Sequence, residues 1–181
     1  MGLSVLTVTG KDRPGIIGQV TGLLFRSGAN LEDISMTILE NQLAMVMIVN
    51  TKNKSSETAC RKSLGKFSKS GLSVNWKSLP GKTSAVRKHS KGSRTYILSA
   101  AGRDRTGIVF KISSFFAGLH LNITDLNSKI LPQTSGGLYV LILEVDVPAG
   151  FSQKKIEKGL SALRKDLQID IQWRPMESLE L

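Results

Sequence analysis

The chain contains one stretch twice. Gly10-Lys11-Asp12-Arg13-Pro14-Gly15-Ile16-Ile17 returns as Gly102-Arg103-Asp104-Arg105-Thr106-Gly107-Ile108-Val109, 92 residues later. At the same offset Asn30-Leu31-Glu32-Asp33-Ile34 faces Asn122-Ile123-Thr124-Asp125-Leu126. The duplication spans a turn, the helix after it and the start of the next strand. It therefore dictates two copies of one structural unit. It also weighs against an enzyme, because a one-site enzyme needs no second copy of the same polar loop.

Within the first copy, Leu3 to Thr9 is rich in β-branched and apolar residues and predicts a strand. Pro14 suits the first turn of a helix. Ile16, Ile17, Val20, Leu23 and Leu24 follow at one-face helical spacing. Gly28 suits the left-handed end of that helix. Asn30 to Leu39 predicts a strand, Glu40-Asn41-Gln42 a hairpin, and the apolar run Leu43 to Val49 a central strand. Cys60, Leu64 and Phe67 mark a second helix, and Leu72 to Leu79 a last strand.

The second copy repeats the order. Its strands are Tyr96 to Ala101, Asn122 to Leu131, Leu138 to Val147 and Ile169 to Trp173. One helix is marked by Ile108, Val109, Ile112, Phe115 and Phe116, the other by Ile156, Leu160, Leu163 and Leu167. A longer hairpin is expected around Pro132 to Gly137. Each unit thus reads β-α-β-β-α-β. Right-handed crossovers place both helices on one face of a four-stranded antiparallel sheet, the ferredoxin-like plan of the α+β class. The domains fall at 1–80 and 94–181, joined by a flexible basic linker over 81–93 with no apolar period.

The net charge of +11 raises the question of polyanions. Much of it sits on or beside one helix (Lys52, Lys54, Arg61, Lys62, Lys66, Lys69) and in the linker (Lys82, Arg87, Lys88, Lys91, Arg94). No run approaches the roughly 20 apolar residues of a bilayer span. A single cysteine, Cys60, and a start without the layout of a signal peptide set the expectation of a cytoplasmic protein.

The polar turn holds Asp12 and Arg13, and its copy Asp104 and Arg105, each just before a helix N-terminus. Exposed N–H groups and the positive end of the helix dipole favour a carboxylate there. Gly15 and Gly107 allow close approach to the backbone. An Asp can accept from an ammonium, and the amides of Asn30 and Asn122 can both donate and accept. An α-amino acid, carrying both charges, suits this set. The bland reading stands beside it: Asp12 and Asp104 as helix caps, the glycines as packing points, the asparagines as chain turns.

Asp-Arg-Pro-Gly-Ile-Ile, a helix, then Gly-Ala-Asn-Leu-Glu-Asp-Ile resembles the ACT domain, a small regulatory module that binds amino acids. The likeness covers both units. Two ACT units with nothing else attached resemble the glycine cleavage system transcriptional repressor family. The resemblance implies ligand sites where ACT units meet, built from the first loop and the start of the second strand. By position these are Asp12, Arg13, Pro14, Gly15 and Asn30, then Asp104, Arg105, Gly107 and Asn122. Thr106 departs from the pattern where proline is expected. The expected protein is an amino-acid sensor without cofactor or metal, with glycine as the first effector to consider. It would be a homodimer away from membranes, repressing transcription through a partner transcription activator.

The other readings are a basic nucleic-acid-binding protein and an ACT regulator of a different metabolic enzyme. Central strands of an RNA-recognition fold display stacking aromatics, whereas Leu43 to Val49 has none and Leu138 to Leu143 only Tyr139. His120 reads as a helix-end residue, Cys60 as core, and His89 has no carboxylate partner nearby in sequence. No P-loop, Gly-x-Ser-x-Gly or Cys/His metal spacing is present.

Overall fold

The computed structural model describes residues 2–79, 88–132 and 137–176, without the side chains at 68 and 69. The chain divides into two compact units, Met1–Val86 and Arg87–Leu181. The first runs β1 (Gly2–Lys11), α1 (Ile16–Arg26), β2 (Ala29–Leu39), β3 (Gln42–Thr51), α2 (Lys54–Leu64), a 3-10 turn (Gly65–Ser70) and β4 (Leu72–Ser78). The second runs β5 (Ser93–Arg103), α3 (Ile108–Gly118), β6 (Asn122–Leu131), β7 (Leu138–Pro148), α4 (Gln153–Leu167) and β8 (Asp170–Pro175). The sheets have the orders β2-β3-β1-β4 and β6-β7-β5-β8, antiparallel throughout. The expected fold is present in both copies.

Alternation decides which face is covered. On β1 and β3 the residues Leu6, Val8, Leu43, Met45, Met47 and Val49 are buried at every second position. They meet Ile16, Val20 and Leu24 of α1 and Cys60 and Leu64 of α2 in one cluster, so both helices lie on the same face. Fully burying one such side chain contributes about 1.5–3 kcal/mol. Cutting Met47 to Ala would cost about 2–5 kcal/mol, since a cavity remains. Burial pushes the Cys60 thiol up, as expected of a small core residue and not of a nucleophile. In the second unit Leu98, Leu141, Leu143 and Val145 take the same places against Ile112, Phe116, Ile156 and Leu160.

The loops differ in detail from the sequence expectation. Pro14 lies ahead of the helix, not in its first turn; Gly15, at φ 91°, is the residue before Ile16. Phe67 falls in the 3-10 turn rather than in α2, because the helix stops at Gly65. Gly28 (φ 72°) and its counterpart His120 (φ 55°) both take the left-handed conformation beyond a helix end. Both second strands carry an irregularity at matching places, between Leu31 and Asp33 and between Ile123 and Asp125. At each, the aspartate accepts a hydrogen bond from the next N–H (Ile34 to Asp33 Oδ1, 2.8 Å; Leu126 to Asp125 Oδ1, 2.9 Å).

Residues 81–87 of the expected linker and 133–136 of the second hairpin lie outside the described residues. Lys88, His89 and Ser90, counted above with the linker, are held on the second unit. Asp146 of β7, whose side chain is 2% exposed, accepts from the Ser90 N–H at 2.6 Å and the Thr95 hydroxyl at 3.1 Å. His89 Nδ1 lies 2.9 Å from the same carboxylate. The histidine that lacked a carboxylate neighbour in sequence therefore has one in space. Lys88 Nζ sits 2.6 Å from Glu144 Oε2 and 3.2 Å from Asp125 Oδ2. Burial alone would raise the Asp146 carboxyl. The Ser90 N–H, His89 and Thr95 together outweigh burial and hold it below the usual range.

Candidate functional site

The first loop is fixed at both ends. Its start is tied to the β2–β3 hairpin by the Asp12 N–H donating to Asn41 O at 2.7 Å. Its end is Gly15, whose left-handed backbone turns the chain into α1 and whose carbonyl accepts from Gln19 N at 2.9 Å. Among the described residues no side chain caps this helix, and no acid lies in its first turn. The capping role open to Asp12 on sequence grounds is therefore not taken up. Arg13 reaches back over the helix start, its Nη2 donating to Gln19 Oε1 at 3.4 Å.

A cleft of about 390 Å³ opens here, lined by Asp12, Arg13, Pro14 and Gly15, with Met36 and Ile38 of β2 as an apolar wall. The first N–H groups of an α-helix have no partner within the helix. The cleft thus brings together a partial positive charge, a guanidinium, an acid and an apolar surface. That set can hold a small carboxylate-bearing molecule and place its ammonium near Asp12. Gln19, Met36 and Ile38 were missed by the sequence reading. Gln19 had a usable signal in its place four residues after Gly15, over the first helical turn. The two β2 residues had none, because strand register brings them to the loop.

The second loop has the same backbone. Gly107 stands at φ 95° ahead of α3, accepts from Lys111 N at 2.9 Å, and again no side chain caps the helix and no acid lies in its first turn. Asp104 and Arg105 are exposed. Thr106, in the place of Pro14, leaves the turn unchanged.

The asparagines stand elsewhere. Asn30 pairs in register with Asn50, whereas Ile38 beside the cleft pairs with Leu43. Seven strand steps separate these pairs, about 23 Å at strand rise. Asn30 thus lies at the opposite end of the sheet from Asp12, Arg13, Pro14 and Gly15, and one unit does not bring them together. Its amide donates to Glu32 Oε1 at 3.1 Å, and Asn50 donates to the same atom at 3.0 Å. Asn50 first, then Asn30, holds the Glu32 carboxyl below its ordinary range. Asn122 is likewise remote from Asp104, Arg105 and Gly107. It pairs in register with Asp146 and lines a shallow groove with Ser113, Ser114 and Ala117 of α3.

Comparison with known proteins agrees with this architecture. The ACT domain family matches residues 3–75, which is the first unit. The UPF0237 protein MK1213 of Methanopyrus kandleri is 49% identical over 47 residues, and the match spans about half, 52%, of that relative's own length. The UPF0237 protein of Streptococcus pneumoniae serotype 4 is 34% identical over 64 residues, 35% of this chain and 73% of that one. Among solved structures, a candidate glycine cleavage system transcriptional repressor superposes with a TM-score of 0.70 over 98% of both chains at 18% identity, a likeness of fold. No helix among the described residues is long and apolar enough to cross a membrane. With a doubled βαββαβ fold, a matching family and a relative covered over most of its length, this chain is a member of the ACT domain family and stands among its UPF0237 proteins.

Proposed function

We propose that the chain senses a small amino acid at the first-loop cleft and acts as a negative regulator of glycine cleavage system transcription. It would do so in the cytoplasm, through a partner transcription activator. The observation that carries the reading is the uncapped start of α1, opening on a cleft that holds Arg13 and Asp12. The ligand carboxylate takes the helix N–H groups and Arg13, and its ammonium faces Asp12. Glycine leads the candidates because a protein of the same fold is described as a candidate glycine cleavage system transcriptional repressor.

Asn30 lies too far from the cleft of its own unit to complete the site. We assign it to the cleft of a second copy of the chain, which makes the sensor a homodimer. The β2 edge supports this. Its outer side pairs with no strand among the described residues, and Ile34, Met36 and Ile38 are 40–47% exposed along it. Ligand binding across two copies favours one dimer arrangement over another, and the activator reads that arrangement. Calorimetry with glycine, serine, alanine and the remaining amino acids tests the reading. The expected result is saturable heat with a small amino acid, lost in Arg13→Ala. The absence of heat and of thermal stabilisation with all of them would sink it.

A further inference from the structure

The positive charge is unevenly spread over the fold. Helices α1 to α4 carry ten Lys and Arg against three acids, a surplus of seven in a chain whose net charge is +11. The three acids are all paired: Glu57 with Arg61, Glu157 with Arg164 and Asp166 with Lys111. On α4 this leaves Lys154, Lys155, Lys158 and Lys165 exposed and without an ion pair among the described residues. Lys154, Lys158 and Lys165 are spaced four and seven apart, which puts them on one face. At helical rise they form a row about 16 Å long. The helix is fixed from below by Ile156, Leu160 and Leu167, and Ser152 caps its start, so the row stands on a rigid element.

The chemistry of the row selects its partner. Protein interfaces draw their affinity from apolar and aromatic anchors. The leucines and the isoleucine of α4 are turned into the core, and between the lysines lie the small Ser161 and Ala162. Single-stranded nucleic acid is gripped by stacking on aromatics, and α4 has none. A duplex backbone requires only cations in a row, because counterion release supplies the affinity. We infer that the exposed face of α4 binds the phosphodiester backbone of double-stranded DNA without reading its sequence. Lys62 of α2 occupies the place of Lys158 in the repeat, with Lys54 on the same helix, so the first unit carries a weaker version of the row. A regulator that acts through an activator would thereby be concentrated where its partner works.

The test uses the full chain and a fluorescein-labelled DNA duplex of mixed sequence, followed by anisotropy from 50 to 200 mM salt. Four phosphate contacts predict a loss of affinity on the order of a hundredfold across that range. The variant K154E/K155E/K158E/K165E is expected to bind at least about tenfold more weakly at the low-salt end and to flatten the salt dependence. K154Q/K155Q/K158Q/K165Q should do the same more mildly, and both should keep the wild-type unfolding midpoint because all four side chains are exposed. K77E/K91E/K129E/R174E, with the same change in net charge on exposed residues off the helices, should retain binding. Equal loss in the two charge-reversed variants would overturn the proposal in favour of net charge alone. So would poly-L-glutamate displacing the duplex at equal charge, which points to an acidic protein, or no binding at low salt.

Discussion

The first helix of each unit starts bare and the second starts capped. Asn53 accepts from Ser56 N ahead of α2 at 2.8 Å, and Ser152 accepts from Lys155 N ahead of α4. Gly15 and Gly107, ahead of α1 and α3, offer no side chain, and among the described residues no other residue supplies a cap. A cap contributes about 1 kcal/mol, but it needs an extended residue such as Asn53 or Ser152 ahead of the helix, and Gly15 and Gly107 are left-handed. The chain omits it twice, in the same loop of both copies, beside Asp-Arg each time. The same departure from a capped start in both copies sets these two loops apart from the other helix starts. That difference teaches more about the site than the presence of any one polar residue.

The largest effect is expected from forcing a side chain onto the bare starts. Gly15→Val puts a β-branched residue at φ 91°, and Gly107→Val at 95°. Each should cost about 2–3 kcal/mol of stability to its own unit, read as a lower midpoint in thermal or urea unfolding. A loss no greater than that of a surface substitution would mean that the loop relaxes and its glycines are dispensable.

Next in size is the far end of the sheet, where the units also diverge. The first unit has Asn50 against Glu32; the second has buried Asp146 beneath Lys88–Ser90. Asp146→Ala should cost about 2 kcal/mol, since the Ser90 N–H and Thr95 lose their acceptor. Loss of Ser90 amide protection in hydrogen exchange would locate the effect. The pH dependence follows in sign. Asp146 is lowered in the fold, so its contribution is present above its ordinary value of 3.8 and lost as pH falls through the lower folded value. Asp146→Asn should flatten the acid limb of the unfolding curve. An unchanged limb would assign acid unfolding to other carboxylates.

The capped starts provide the calibration. Asn53→Ala and Ser152→Ala should each lose about 1 kcal/mol and leave amino-acid binding untouched. The smallest effect is the most telling. Gly18 lies in the first turn of α1, and a Cβ there would meet nothing within 4 Å. Gly18→Glu should add about 0.5–1 kcal/mol, from helix propensity and from the dipole. The same carboxylate should weaken amino-acid binding by repulsion. Higher stability together with unchanged ligand heat would show that the bare start is not the carboxylate site.

The fold was readable because periodicity is local. The apolar run of Leu43 to Val49 and the three-four spacing of Ile16, Ile17, Val20, Leu23 and Leu24 each reside in one segment, and the duplication checks every assignment twice. Of the candidate site, only the loop is legible as one place. Asp12, Arg13, Pro14 and Gly15 are consecutive and share one cleft. Asn30 follows the same helix in sequence, yet that helix carries the chain back to the other end of the sheet. The clasp on Asp146 left only a faint trace, two acids at alternate positions in the apolar run of β7, Glu144 and Asp146. Its partners lie about fifty residues away, where only strand order brings them into reach.

The two tryptophans occupy matching places in β4 and β8 but have different surroundings. Trp173 stacks on Tyr96 at 4.8 Å and donates to Gln153 Oε1 at 3.3 Å. Trp76 lies under the Arg61 guanidinium at 6.0 Å, and among the described residues its buried Nε1 has no hydrogen-bond partner within range. Each half of the chain thus has its own fluorophore, and the pair should differ in emission maximum and in quenching. A Trp→Phe change in either half leaves a single optical reporter of the other, so the melting order of the duplicated halves can be followed without separating them.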